Sequence, residues 1–171
     1  IKCGKHVKKG SEKLWVDHIY FPCEYLDITK KDSYLITQIQ NVKPINGKAK
    51  LQHPCKEIIW TTHKPLNSTR IVLNGNMKYS ERSAMYYSRV QPYQHHTCIP
   101  NRKNIYTYSF ALYPEDFVHP SGTLNFSKIE QLHIILDGDD KVFPNQSYNL
   151  WGLNWNILEI HDGMACVKFM N

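Results

Sequence analysis

Asn104-NIYTYSFALYPEDFVHPSGTLNFSKIEQLHIILD-Asp137 joins two alternating apolar runs through a Pro-Ser-Gly corner. From Asn104 to Tyr113, Tyr106, Tyr108, Phe110 and Leu112 fall on one face of an extended chain. Ile105, Thr107, Ser109 and Ala111 fall on the other, since side chains alternate along a strand. A face of large rings backed by a face of small side chains predicts a strand covered on both sides. Pro114 has no N–H to give to a ladder, and Pro120-Ser121-Gly122 couples a fixed φ to a residue tolerant of positive φ. Leu132, Ile134 and Leu136 then resume the alternation. The segment therefore reads as strand, corner, strand.

The same punctuation recurs along the chain. Leu14 to Phe21 reads as a strand stopped by Pro22, Asp27 to Tyr34 as a short helical turn capped by Asp27 or Thr29, and Tyr34 to Val42 as a second strand. His53 to His63 is a further strand, and Arg70 to Asn74 with Gly75 is a short strand and turn. Met85 to Pro100 reads as an aromatic strand running into a loop, and the last seventeen or so residues as two strands hinged at Asp162-Gly163. About eight strands separated by turn residues predict an all-β antiparallel sandwich with short helical turns in its loops. A chain of 171 residues fits one domain, and one of this size buries roughly 70% of its unfolded surface.

A net charge of +6 permits nucleic-acid binding. The basic residues are dispersed, however, and the one dense cluster, Lys2, Lys5, Lys8, Lys9 and Lys13, reads as a solvated linker over residues 1–13. No nucleic-acid-binding motif accompanies it, so no direct nucleic-acid contact is expected. The five cysteines form no CxxC pair, which argues against a disulfide framework or zinc site and favours a reducing compartment. No apolar run approaches the roughly 18 residues of a membrane span, so no membrane insertion is expected.

Catalytic signatures are missing: there is no GxSxG elbow, no phosphate-binding glycine loop and no HxH with a trailing Glu of the cupin type. No catalytic residue, metal ligand or cofactor is assigned. His95-His96 near Cys98 lacks metal-ligand spacing and reads as loop decoration, while Pro114-Glu115-Asp116 and His161-Asp162-Gly163 read as turn chemistry. Three sequons begin at Asn67, Asn125 and Asn145. At Asn125 the Asn and Ser side chains are expected to hydrogen-bond the backbone of the turn. Tyr148, Trp151, Leu153 and Trp155 form an aromatic cluster suited to core or interface. If open to solvent, they would make a glycan-binding surface.

Several ordered segments carry a resemblance. Tyr108-YSFALYPEDFVHPSGTLNFSKI-Ile129, Leu14-LWVDHIYFPCEYLDITKKDSYLITQIQ-Gln40, His53-HPCKEIIWTTH-His63 and Met85-MYYSRVQPYQHHTCIP-Pro100 are similar to successive blocks of the major capsid proteins of large nucleocytoplasmic DNA viruses. The resemblance implies that residues 14–171 are an eight-stranded jelly roll, the second half of a double jelly roll, with Pro120, Ser121, Gly122, Asn125, Phe126, Ser127 and Lys128 as structural motif residues. It also implies homotrimeric pseudo-hexagonal capsomers, contacts with neighbouring capsomers and minor capsid proteins, and an icosahedral virion shell over an inner membrane, assembled in the host cytoplasm. A minor shell or scaffold paralogue would read almost alike, and a glycan-binding or cupin-like jelly roll is the alternative from another class. The chain departs from the pattern at Lys128, where Arg is usual, and in its ending, Cys166-Val167-Lys168-Phe169.

Overall fold

The computed structural model describes residues 32–77, 80–138, 148–161 and 164–169, with four two-residue strands ahead of them. Of these four, β1 (Lys2–Cys3) pairs with β4 (Ile19–Tyr20), and β2 (Lys9–Gly10) with β3 (Lys13–Leu14). The rest of residues 1–31, including most of the expected Leu14 to Phe21 strand and the Asn145 sequon further on, lies outside the described residues.

Two antiparallel sheets make the body, as the alternation predicts. One is built on β14 (Asn149–His161), whose thirteen residues run along β5 (Asp32–Val42) on one edge. Its other edge is shared by β7 (Pro54–Thr61) and then β15 (Met164–Val167). β11 (Ile105–Ser109) and β12 (Leu124–Asn125) complete it on the far side of β7. The other sheet carries β8 (Ser68–Leu73) beside β13 (Leu132–Asp137), with β6 (Lys48–Ala49), β9 (Asn76–Met77) and β10 (Arg82–Ser83) at its margins. Asn74 and Gly75, both at positive φ, turn β8 into β9, the geometry that a two-residue hairpin demands.

Inward-facing residues of both sheets form one core. Ile58, Trp60, Tyr106 and Leu150 meet Ile71, Leu73, Leu132 and Ile134, all buried. Register explains the match, since Trp60 stands opposite both Tyr106 and Leu150, while Leu132 and Ile134 stand opposite Leu73 and Ile71. Directly opposite residues share a face, so pairing alone gathers these side chains between the sheets.

Two expectations are corrected. Asp32 to Tyr34, expected in a helical turn, belong to β5, and residues 27–31 lie outside the described residues. The segment from Met85 is helical rather than extended: a π-helical turn, Tyr86–Val90, runs into α1 (Gln91–His95). Tyr87, Gln91 and Pro92 are buried along it, and Ala84 just before it; Ala84, Tyr87 and Gln91 are spaced by three and four, which is the period of a helix face. Tyr87 packs edge-on to Trp60 at 5.2 Å, so the element plugs one side of the core. Among the described residues no helix is long and apolar enough to cross a membrane.

Candidate functional site

The Pro-Ser-Gly corner closes a loop over the outer face of the β14 sheet. The ladder of β11 ends in a distortion, where the N–H groups of Phe110 and Ala111 both donate to the Lys56 carbonyl, at 2.8 and 3.1 Å. The chain loops out through Pro114 and returns at Pro120. There the Ser121 hydroxyl accepts from the Tyr113 N–H at 2.8 Å, and the Ser121 carbonyl accepts from the Leu112 N–H at 3.2 Å. Gly122 crosses against the outgoing strand with φ +134°, and a Cβ there would sit 2.8 Å from the Phe110 carbonyl oxygen. Neither the conformation nor the space suits any other residue. Within the loop, the Asp116 carboxylate accepts the N–H groups of Val118 and His119 at 2.8 and 2.9 Å.

The Asn-Phe-Ser stretch makes a second clip. Asn125 Oδ1 accepts from the Ser127 N–H at 3.0 Å, Ser127 Oγ accepts from the His53 N–H at 3.0 Å, and the Phe126 N–H donates to the His53 carbonyl at 3.0 Å. Asn125 and Ser127 thus bond the backbone, and Phe126 is buried with its ring 5.7 Å from Phe110. Lys128 is exposed. The first clip ties the returning chain to the outgoing residues Leu112 and Tyr113, which follow the pair bonded to Lys56, and the second ties it to His53 at the start of β7.

Sequence reading missed what lies under the loop. On β7, Leu153 of β14 faces Glu57 and Asn154 faces Cys55, so Lys56 is an extra residue in a bulge. The bulge puts Lys56 and Glu57 together on the outer face, where simple alternation separates them. Lys56 is 1% exposed. Its ammonium lies 4.3 Å from the Trp155 ring and 4.8 Å from that of Phe117, and donates to the Asp116 carbonyl at 3.2 Å. Burial pulls its pKa below the ordinary lysine range, against the opposing attraction of Glu57 and Asp116. Cys55, on the inner face, is pushed up to about 12 by burial and is an inert thiol.

His96 departs from its expected role as loop decoration. Its Nε2 lies 2.9 Å from Glu57 and its Nδ1 3.2 Å from Glu115, which also accepts the Thr97 N–H at 3.0 Å. His95 instead meets the Leu112 carbonyl at 3.0 Å. Among the described residues no group of three His, Cys, Asp or Glu side chains could hold a metal ion. The aromatic cluster also divides. Tyr148 is buried and donates to the Gly47 carbonyl at 3.0 Å, whereas Trp151, Leu153 and Trp155 lie on the outer face. Trp155 is 5% exposed beneath Lys56, so its ring offers no open platform for a sugar.

The sequence profile described as "Large eukaryotic DNA virus major capsid protein" matches residues 21–166. The chain belongs to this family. Within this major capsid protein family, it is 28% identical to the major capsid protein of Pyramimonas orientalis virus over 204 residues, covering 94% of this chain and 49% of that protein. It is 39% identical to the major capsid protein of Phaeocystis pouchetii virus over 110 residues, covering 63% of this chain and 21% of that one. The chain spans about half the length, or less, of the curated capsid proteins it matches. In structure it is similar to the subunit in a quasi-atomic model of the PBCV-1 virus capsid, with a TM-score of 0.69 at 22% identity, over 84% of this chain and 52% of that one. The Faustovirus major capsid protein aligns with a TM-score of 0.55. These likenesses establish the jelly-roll fold.

Proposed function

We propose that this chain is the second jelly roll of a major capsid protein, and that the complete protein builds the icosahedral shell of a large DNA virus as trimeric, pseudo-hexagonal capsomers. The observation that carries the reading is the family match over residues 21–166, joined to a sandwich that aligns with about half of a capsid subunit. Residues 14–171 correspond to that half and residues 1–13 to the linker before it. The partners are two further copies in the capsomer, neighbouring capsomers and minor capsid proteins. The place of action is the virion, after assembly in the host cytoplasm.

The role is mechanical rather than catalytic. Two stacked sheets resist bending, while loops at their ends vary without disturbing the core. In this role Pro120 to Gly122 and Asn125 to Lys128 hold a corner: they fix the direction in which the loop between them and β11 projects. Permanent contacts between subunits often exceed about 2,000 Å². Mild disruption of purified particles, followed by native mass measurement of the released shell protein, tests the reading. A trimer that survives metal chelation is expected, and release of the protein only as a monomer contradicts it.

A further inference from the structure

The row Glu57, His96, Glu115 is explained neither by sheet pairing nor by the clips. Glu57 is 3% exposed on the outer face of β7, and a buried carboxylate is costly unless paired and hydrogen-bonded. The Thr107 hydroxyl on β11 donates to it at 3.3 Å, and the His96 ring lies 2.9 Å away. The second ring nitrogen reaches Glu115, in the loop, at 3.2 Å. One imidazole therefore ties together β7, the end of α1 and the loop. Neutral imidazole carries no charge, so both carboxylates face a cation at ion-pair distance only when the ring is protonated.

We propose that His96 is a proton-operated latch: charged, it fastens the loop bearing Leu112, Tyr113, Phe117 and Val118 to the sheet, and neutral, it lets that loop loosen. These four side chains are exposed, so the latch controls how rigidly an apolar tip is presented. The neighbouring groups favour this direction. β7 also brings Lys56, whose ammonium is turned to Trp155 and Asp116. α1 brings His95, held on the Leu112 carbonyl. The loop brings Asp116, engaged with Val118 and His119, and His119 itself. The two carboxylates are thus the charges in contact with the ring.

The Glu57 carboxylate in ion-pair contact, opposed by burial and aided by Glu115, holds the His96 pKa above its ordinary value. A raised pKa gives stabilisation that is complete below the unfolded value, about 6.5, and is lost as pH rises through the higher folded value. Burial works to raise Glu115, but the Thr97 N–H and hydroxyl and His96 outweigh it and hold the carboxyl below its ordinary value. The outer arm therefore fails only in stronger acid. The latch is closed in mild acid and opens on the alkaline side.

Imidazole NMR titration and amide hydrogen exchange of the full chain between about pH 5 and about pH 8.5 test this. The His96 signal should titrate above about 6.5, and protection of the Thr97, Leu112 and Tyr113 amides should fall several-fold as pH rises through that point. Glu115→Gln, at a partly exposed side chain, should lower the His96 pKa and reduce protection in mild acid. His96→Gln should remove the pH dependence. Protection that is independent of pH in the unaltered chain, or a His96 that titrates below about 6.5, overturns the proposal.

Discussion

At Gly122 the returning chain passes so near Phe110 that a methyl group has no room. Gly122→Ala combines a clash with backbone carbonyl oxygen and an unfavourable φ, and should destabilise the fold by about 1–3 kcal/mol in urea unfolding. A smaller loss, under about 0.5 kcal/mol, would mean that the corner yields. Lys56 makes a different prediction. Truncation to Ala removes the ammonium held over Trp155 together with its buried stem, and should cost about 2–4 kcal/mol. Lys56→Met keeps the volume and removes a buried charge, so its effect should stay within about 1.5 kcal/mol; thermal melts of the two variants side by side would show the difference. The glycine was legible because Pro-Ser-Gly is a turn signature by itself. Lys56 and Glu57 were not, because a bulge depends on how β7 meets β14 and leaves no mark in the local pattern.

Among the elements, the helical segment after Met85 shows where local reading fails. Tyr86 and Tyr87, beside Ser88 and Val90, carry strand propensity, but propensity yields to packing. Ala84, Tyr87 and Gln91 are buried at helical spacing, and the Gln91 side-chain Oε1 accepts the Ser109 N–H at 3.0 Å, which gives the edge of β11 a partner. Tyr87→Ala should therefore cost about 3–5 kcal/mol, as expected for a buried aromatic ring, measured by denaturant unfolding. β13 and the part of β14 from Trp155 onward were readable because two-residue alternation fixes which side chains face inward once a core exists, whereas the strand starts earlier, at Asn149. Phe126 was readable as a motif residue. Its partnership with Phe110 follows only from the two clips that bring both rings to the same end of β7.

At the scale of the whole molecule, the described loops cover the outer face of the β14 sheet only in part. Trp155, Glu57 and Lys56 lie beneath the loop and α1, whereas Ile39 on the edge strand β5 is 67% exposed and Leu35 is exposed beside it. Leu153 and Ile157 of β14 stand directly opposite Ile39 and Leu35, so this part of the face is apolar across two strands. Exposed apolar patches on edge strands promote association, and the isolated chain should self-associate as its concentration rises in sedimentation velocity. A monodisperse monomer at high concentration would count against a missing neighbour on this face. The central claim, a shell subunit, is tested most directly by tryptic mapping of gel-resolved proteins from purified virus particles, following the peptide Asn104 to Lys128. Its recovery from the dominant band, at a mass well above 20.1 kDa, is the predicted result; its absence from every particle band would contradict the assignment.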